Sequence, residues 1–557
     1  MNSLACVVCS FTFLLQATQP SEITKALSLL GQQKYAEAEK VLTPFTQANP
    51  TQSRAHILLG YAQRKQQRFD QAIKSFAAAK QSGNPRSVAS SEYNLACICS
   101  VRKDADGAFK HLAAAVRSGF SNFGQMQGDA DFANIRSDSR FKALIPKPVP
   151  DERLFSEPTR IIHKFVGEAP GDQFGWTARR VGDWDKDGVI DFVATAPTQS
   201  GCGKVYVYSS KSGRLLMEKK GQPGEQFGNS AVGAGDVNKD GFLDLIVGAP
   251  NQQAAGNAYV FSGKDGSQLH HFKGTNPGDR FGYEVSELGD LNGDGYADVL
   301  VGAASGNGKQ PRSGAAFVYS GKSGQLLFQL KGDRTGDSFG NAAACSKSGN
   351  HWLLAIGAQN AGPNKRGRVY VYRIHGTQPQ QVFTIEGNNK SVNLGQMFIA
   401  FPGDVDRDGV PDIYASDFSD NTSAPGGGRV VVVSGKDGRE LLAITGKKAR
   451  EGLGTSPSDA GDVNGDGIGD LVIGAWQNAE EAASGGKVYL HDGANGKLLR
   501  AWTCRQSGDT FGFDACGIGD VDGDGAVDFL LTSAWSNTKG PKTGRVFILA
   551  GDKVYGE

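Results

Sequence analysis

Apolar residues follow two different periods along the chain. Over residues 21–147 they recur at helical spacing in an Ala- and Leu-rich sequence. From about residue 159 they form short runs of β-branched and aromatic residues between glycine-rich turns, which is typical of β-strands. A segment rich in Pro and charge, KPVPDERLFSEP, separates the two regions. The pattern predicts a helical domain at residues 21–147, a linker at 148–158 and a β domain at 159–557.

The helical region contains an internal repeat of about 34 residues. In its clearest copy, AHILLGYAQRKQQRFDQAIKSFAAAK, the residues at close helix-helix approach are Gly60, Phe69, Ala72, Phe76 and Ala79. This repeat resembles the tetratricopeptide repeat, and residues 129–145 are expected to form a closing helical cap. The resemblance implies a short stack of helix pairs with a concave face for peptides. The alternative is a unit that serves only for packing or dimerisation.

Seven consecutive units make up the β region, and their starts lie 53 to 59 residues apart. Each unit begins with an FG or LG pair and continues through a loop into an apolar run such as DLIVGAP. Two alternating strands joined by a turn such as SGKDG complete it. The pairs begin at Phe174, Phe227, Phe281, Phe339, Leu394, Leu453 and Phe511. Seven units of four strands predict a seven-bladed β-propeller.

The two ends of the β region predict how the ring closes. The first six units end in an outer strand, such as LLMEKKG or LLFQLKG, whereas the seventh stops at GDKVYGE. A run of the missing type, RIIHKFVG, precedes the first unit. We therefore expect a strand within residues 159–167 to complete the seventh blade, which removes an exposed sheet edge.

Six of the seven units carry the acidic nonamer D-x-[DN]-x-D-G-x-x-D. The copies are DWDKDGVID, DVNKDGFLD, DLNGDGYAD, DVDRDGVPD, DVNGDGIGD and DVDGDGAVD. Oxygen ligands at positions 1, 3, 5 and 9, a glycine at position 6 and a backbone carbonyl at position 7 suit Ca²⁺, which takes six to eight oxygens. The fourth unit has CSKSGNHW instead, without a carboxylate, so its blade is expected to fold without a metal.

The nonamers thus predict up to six Ca²⁺ ions, one for each blade except the fourth. The predicted ligands are Asp183, Asp185, Asp187, Val189 and Asp191; Asp236, Asn238, Asp240, Phe242 and Asp244; Asp290, Asn292, Asp294, Tyr296 and Asp298; Asp404, Asp406, Asp408, Val410 and Asp412; Asp462, Asn464, Asp466, Ile468 and Asp470; and Asp520, Asp522, Asp524, Ala526 and Asp528.

Other interpretations of the nonamer fit its chemistry less well. A helical EF-hand needs a glutamate at position 12, where these copies have apolar residues of the following β run. Mg²⁺ uses one or two carboxylates with several waters, and transition metals normally add His or Cys. A lone acidic turn is often only a solvated loop, but six copies in register favour a metal.

The FG start, the nonamer and the GAP-like run, most complete at Gly248-Ala249-Pro250, resemble the FG-GAP repeats of the integrin α-subunit propeller and its bacterial relatives. The resemblance covers about residues 160–557. It implies a seven-bladed propeller with structural Ca²⁺ on one face and ligand recognition by surface loops. The metal assignment transfers to the matching Asp and Asn positions; the choice of partner does not, because no integrin leg domain follows.

Charge and the first residues bear on location. Lys and Arg number 59 against 58 Asp and Glu, so neither a nucleic-acid partner nor a membrane-surface partner is expected. The apolar run LACVVCSFTFLLQA, followed by QPSE, predicts a signal peptide within residues 1–20. No later segment has the length and hydrophobicity of a membrane span. The predicted location is secreted, periplasmic or on the cell surface, where Ca²⁺ modules of low affinity fill.

The favoured function is a non-enzymatic scaffold that recognises a protein or a glycan. The alternative is a secreted hydrolase or lyase with its active site in the central channel or the top loops, and a third option is a structural surface protein. No HExxH or P-loop occurs, and the GxSxG match at residues 336–340, GDSFG, is the FG start of the fourth unit. The pair His270-His271 is expected in an outer strand, and Lys331-Gly332-Asp333 at a strand end. Convergent carboxylates or His outside the nonamers would favour the enzyme, and an apolar or aromatic patch the binder.

Overall fold

A computed structural model describes residues 21–251 and 253–551. The predicted signal peptide at residues 1–20 lies outside the described residues. The chain divides into two compact units on either side of the Pro148–Val149 bond. The first unit is helical and the second is built from β-strands, which confirms the predicted fold class.

Paired helices build the first unit. Their bounds are α1 Ser21–Gly31, α2 Tyr35–Ala48, α3 Ser53–Lys65, α4 Phe69–Lys80, α5 Pro85–Val101, α6 Ala105–Arg117, α7 Phe123–Gly128 and α8 Ser139–Leu144. Gly60 of α3 faces the ring of Phe76 in α4, and a Cβ at Gly60 would lie only 2.7 Å from that ring. Ala38, Ala72 and Ala108 are fully buried at equivalent positions of the repeat. Small residues therefore set the close helix packing that the repeat predicts.

Residues 129–145 cover the end of the helical stack. A 3₁₀ turn at Ala130–Phe132 and helix α8 carry Phe132 and Phe141 into a cluster with Tyr93 and Leu112. The Tyr93 hydroxyl donates a hydrogen bond to Asp129 Oδ2 at 2.8 Å. These buried aromatic residues close the apolar interior of the first unit.

In the described residues, 28 strands form seven antiparallel sheets of four strands. In chain order the strands are β1 Ile161–Val166; β2 Ala178–Gly182, β3 Asp191–Ala196, β4 Lys204–Tyr208 and β5 Leu215–Lys220 (blade 1); β6 Ser230–Gly235, β7 Asp244–Ala249, β8 Asn257–Phe261 and β9 Gln268–Lys273 (blade 2); β10 Phe281–Gly289, β11 Asp298–Ala303, β12 Ala315–Tyr319 and β13 Leu326–Lys331 (blade 3); β14 Phe339–Ser348, β15 His351–Ala358, β16 Arg368–His375 and β17 Gln378–Glu386 (blade 4); β18 Ile399–Gly403, β19 Asp412–Asp417, β20 Arg429–Val433 and β21 Glu440–Thr445 (blade 5); β22 Leu453–Gly461, β23 Asp470–Ala475, β24 Lys487–His491 and β25 Leu498–Thr503 (blade 6); and β26 Ala515–Gly519, β27 Asp528–Ser533 and β28 Arg545–Leu549 (blade 7).

The first strands of neighbouring blades lie side by side at the centre of the ring, and the second strands carry much of the core. In every blade except the fourth, the second strand is buried at each position. Burial on both faces explains why these strands are continuous apolar runs rather than alternating ones. The FG glycines allow close approach between blades: Gly282 has φ +83°, and a Cβ there would lie 2.0 Å from the Asn257 carbonyl oxygen.

Strand β1 completes the seventh blade, as the sequence predicts. It pairs with β28 in a register that runs from Ile161 opposite Leu549 to Val166 opposite Arg545. The seventh sheet therefore has the order β1-β28-β27-β26 and joins the two ends of the propeller sequence.

The predicted linker, residues 148–158, runs along the propeller over most of its length. Leu154 and Phe155 are buried in the core shared by blades 6 and 7. Phe155 forms an antiparallel bridge with Cys504, and the Glu157 carboxylate accepts hydrogen bonds from the backbone N–H and the hydroxyl of Thr503. In the structure this segment therefore packs against blades 6 and 7 and is not a free spacer.

Candidate metal centres

The six nonamers adopt one local geometry, which begins at the aspartate of position 1. One of its carboxylate oxygens accepts the backbone N–H of position 5 and the other accepts that of position 6, at 2.8 to 3.1 Å in all six copies. The glycine at position 6 has a positive φ in each copy, a conformation in which other residues are strained. The aspartate at position 1 and the glycine at position 6 therefore fold the loop.

The aspartate at position 5 makes a second turn of the same kind. In every copy its Oδ1 accepts the backbone N–H of position 7, at 2.8 to 3.1 Å. In five copies the side chain at position 3 accepts the N–H of position 5. These bonds use one oxygen of each side chain at positions 3 and 5.

The aspartate at position 9 is fully buried and anchors each loop to its blade. Its Oδ2 accepts the backbone N–H of position 2, at 2.7 to 3.1 Å. Its Oδ1 accepts an N–H from the end of the third strand or the turn after it; the donors are Ser210, Gly263, Gly321, Gly435, Gly493 and Gly551. Sequence reasoning predicted a metal ligand here and missed this anchoring role, although the invariant carboxylate at the start of each second strand was its signal.

Positions 1, 3 and 9 come together in the loops that have aspartate at position 3. Carboxylate oxygens within 4.8 Å of one another are found in three groups: Asp183, Asp185 and Asp191; Asp404, Asp406 and Asp412; and Asp520, Asp522 and Asp528. The aspartates at position 5 are not members of these groups. In the loops with asparagine at position 3, its amide reaches Asp240 at 3.1 Å, Asp298 at 3.3 Å and Asp466 at 3.3 Å.

The hydrogen bonding of one buried oxygen indicates whether these residues fit a cation. Asp185 Oδ1 in blade 1 has no hydrogen-bond partner among the described residues, although an unpaired buried carboxylate oxygen is costly. It lies within the group formed by Asp183, Asp185 and Asp191. Hard oxygen donors at this spacing suit a divalent cation, so the acidic clusters fit the metal that the FG-GAP resemblance implies.

The fourth blade replaces the loop with a longer hairpin. Strands β14 and β15 pair up to Ser348 opposite His351, with only Gly349 and Asn350 between them. A Cβ at Gly289 would lie 2.4 Å from the ring of Trp352, so the indole packs against the neighbouring blade at Gly289. Extra ladder bonds and this indole hold the hairpin by means that need no cation.

Calcium affinity should fall at acidic pH. In the cation-free chain, burial raises the pKa of the aspartates at position 9 to about 6. Each of these carboxyl groups therefore stabilises the folded chain at pH values below its unfolded pKa of about 4. This stabilisation is lost as the pH rises through its folded pKa of about 6. Below about pH 6, protons compete with the cation for the carboxylate at position 9. Calcium titrations should therefore give about tenfold weaker binding per site near pH 5 than near pH 7.5. Equal affinities at both pH values would contradict this role of position 9.

The centre of the propeller encloses a cavity of about 550 Å³ between the inner strands. Arg179 lines this cavity and forms an ion pair with the buried Asp514 at 2.5 Å, and the Asp514 carboxylate also accepts the N–H of Ala178. Glu284 lines the same cavity, and burial raises its pKa to about 8. Trp176 adds an aromatic face and contacts Phe513 at a ring distance of 4.9 Å. The central cavity therefore has both a buried carboxyl group, which favours an enzyme, and an aromatic face, which favours a binding protein.

The other motifs take structural roles. His271 stacks on Tyr259 and bonds to Asn257, while His270 contacts the Gly321 carbonyl oxygen of the next blade. Asp333 bonds to Lys309 and to the Tyr370 hydroxyl at a strand end. The described cysteines are all free thiols. Among the described residues, no helix is long and apolar enough to cross a membrane.

Comparison with known families agrees with this architecture. An FG-GAP repeat model matches residues 227–261, 281–319 and 458–491, and a tetratricopeptide repeat model matches residues 23–86. The chain is thus a seven-bladed propeller with FG-GAP repeats, preceded by tetratricopeptide repeats. Both resemblances proposed from the sequence are confirmed.

Integrin α subunits are similar to part of the chain. Integrin alpha-3 of Cricetulus griseus is 35% identical over 167 residues, which are 27% of this chain and 15% of that protein. Integrin alpha-4 of Xenopus laevis is 30% identical over 160 residues, covering 27% and 15%. Integrin alpha-V of Gallus gallus is 27% identical over 236 residues, covering 39% and 23%. The chain therefore matches less than a quarter of the length of these relatives.

Proposed function

We propose that this chain is a calcium-stabilised, non-enzymatic binding scaffold that works outside the cytoplasm. The observation that carries the proposal is the set of hydrogen bonds at positions 1, 5 and 9 that all six acidic loops of the ring share. Each loop joins the first two strands of its blade and reaches the third through position 9. A cation held there would offset the mutual repulsion of the carboxylates and fix three strands at once.

Recognition of a protein or glycan is the role that best suits this architecture. The partial similarity to integrin α subunits supports a protein-binding propeller, and helical repeat stacks present a second surface for partners. Because calcium modules of the extracellular type bind at about 10⁻⁴ to 10⁻³ M, the loops would fill outside the cytoplasm.

A ligand-capture experiment tests this function. The full chain is immobilised and exposed to the extracellular fraction of its native source, once in millimolar calcium and once in EDTA. A partner retained in calcium and released by EDTA is the expected result. The proposed binding role would be contradicted by capture that is equal in both conditions or absent from both.

The enzyme alternative rests on Glu284, a carboxyl group that lines the central cavity. A carboxylic acid with a pKa of about 8 can act as a general acid at neutral pH. However, the neighbouring buried carboxylate, Asp514, is already paired with Arg179. Hydrolysis or elimination of a saccharide or ester that is abolished in Glu284→Gln, with the fold intact, would favour the enzyme over the scaffold.

Replacing Asp524 with alanine should loosen the seventh blade. The substitution removes the acceptor for the Ala526 N–H and a predicted metal ligand, at a cost of about 1–3 kcal/mol. Limited proteolysis in calcium should then show faster cleavage within residues 520–528. Asp265→Ala, in the exposed turn between β8 and β9, is the matched control, since Asp265 lies outside the nonamers. A cleavage pattern identical to wild type in both variants would argue against structural metal in blade 7.

A further inference from the structure

Arg160 places a positive charge on the acidic loop of blade 7. Its Nη1 lies 2.5 Å from Asp522 Oδ2 and its Nη2 lies 3.3 Å from Asp524 Oδ2. The Oδ1 atoms of these aspartates are occupied by N–H groups of the loop itself. The guanidinium therefore takes the oxygens that the loop leaves for a cation, at positions 3 and 5.

Blade 5 has the same arrangement from a different part of the chain. Arg439, in the turn before β21, lies 2.5 Å from Asp406 Oδ2, and Lys436 lies 3.9 Å from Asp408 Oδ2. Asp406 and Asp408 are again positions 3 and 5 of the nonamer. Two loops on separate blades thus have a basic side chain on equivalent oxygens.

The other four loops provide the contrast. Among the ion pairs between described residues, none reaches a nonamer carboxylate of blades 1, 2, 3 or 6. The basic side chains that do approach there, Lys211 and Arg407, donate to the backbone carbonyls of Asp187 and Asp466. Asp185, the blade 1 equivalent of Asp406 and Asp522, has a buried oxygen without a hydrogen-bond partner. The same position is therefore paired with arginine in two blades and open in the first.

A guanidinium group paired with these carboxylates has two effects on a cation site. It neutralises part of the carboxylate charge when no metal is present, and an arginine cannot lose its proton to make room. A dication must then displace it or tolerate its repulsion over a few ångströms. Either way the affinity falls, by about tenfold or more for a unit charge at such a distance.

We propose that Arg160 and Arg439 lower the calcium affinity of blades 5 and 7 below that of blade 1, whose loop has the same four aspartates and, among the described residues, no ion pair with a basic side chain. This inference rests on the proposed function, because it concerns the affinity of the same sites. In blade 7 the arginine adjoins ring-closing strand β1, and its backbone carbonyl accepts the Ala550 N–H. Arg160 thus stands in for the metal and ties the closing strand to the loop when calcium is scarce.

Calorimetric calcium titration of the full chain tests the proposal. Arg160→Gln and Arg439→Gln should each make one weak site about tenfold tighter than in wild type, and the double variant should do so at two sites. Arg160→Lys keeps the charge and should keep the weak site. Arg214→Gln, at an exposed arginine of the blade 1 turn that has no ion pair with a nonamer carboxylate, is the control and should titrate like wild type.

The outcomes separate this inference from the function on which it rests. If no variant binds calcium, the proposed function itself fails. If all bind but the calcium affinities are the same in wild type and in both glutamine variants, or if the glutamine variants bind more weakly, only the role of the arginines is overturned. The melting temperature in EDTA is a second readout. Arg160→Gln should have a lower melting temperature than wild type in EDTA, and added calcium should make the difference between the two smaller. Arg439 lies away from the ring closure, so its variant keeps the test valid even if Arg160→Gln folds poorly.

Discussion

Removing divalent cations with EDTA should lower the melting temperature of the protein on the order of 10 °C, and added calcium should restore it. Each filled site stabilises the folded chain by about 1.4 kcal/mol when free calcium is ten times its Kd, so six sites contribute roughly 8 kcal/mol. The physical reason is that the carboxylates at positions 1, 3 and 9 lie within 4.8 Å of one another in three loops and repel when no cation is bound. Differential scanning calorimetry of the full chain measures this shift.

Magnesium at equal concentration is the matched control for this experiment. Mg²⁺ demands six ligands at shorter distances and keeps its waters, so it should restore much less of the melting temperature than calcium. A melting curve that EDTA leaves unchanged would count against structural metal in all six loops.

Loss of the ring-closing strand should make the propeller aggregate. A shorter chain that begins at Glu168 lacks β1 and exposes the edge of β28, whose residues Arg545–Leu549 are buried in the complete propeller. Removing the half-buried Ile161, Ile162, Phe165 and Val166 costs roughly 5 kcal/mol, and an open apolar edge pairs with other chains. Size-exclusion chromatography and light scattering should show oligomers.

Two longer chains serve as controls for the effect of β1. A chain that begins at Thr159 keeps the strand, and one that begins at Val149 also keeps Leu154 and Phe155 in the core of blades 6 and 7. Both should be monodisperse, and the longer one should melt higher. If the chain that begins at Glu168 were as soluble and as stable as these two, closure by β1 would not be needed for the fold.

The repeat pattern made most of the fold predictable from the sequence. A unit repeated seven times fixes strand order within a blade, and the orphan run at residues 160–167 shows how the ring closes, because a missing strand must be supplied from elsewhere. The register of the nonamers against the FG pairs likewise placed six acidic loops at one end of the blades. Local spacing carries this information, so it could be extracted without a structure.

Features that depend on distant parts of the chain could not be predicted in this way. Arg160 meets Asp522 across more than 350 residues, and no local pattern connects them. The pairing of Arg179, in the channel wall, with the buried Asp514 has the same character. The segment at residues 149–158 reads as a linker because of its prolines and charges, yet Leu154 and Phe155 find an apolar site on blades 6 and 7. The aspartate at position 9 also anchors the loop to the residues that follow the third strand, and this role can be identified only from the structure.

A crystal structure of the protein grown in millimolar calcium tests the central claim most directly. The account predicts an anomalous peak within the acidic loops of blades 1, 2, 3, 5, 6 and 7, and none at the hairpin between Ser348 and His351. Six loops without bound metal under those conditions would contradict it.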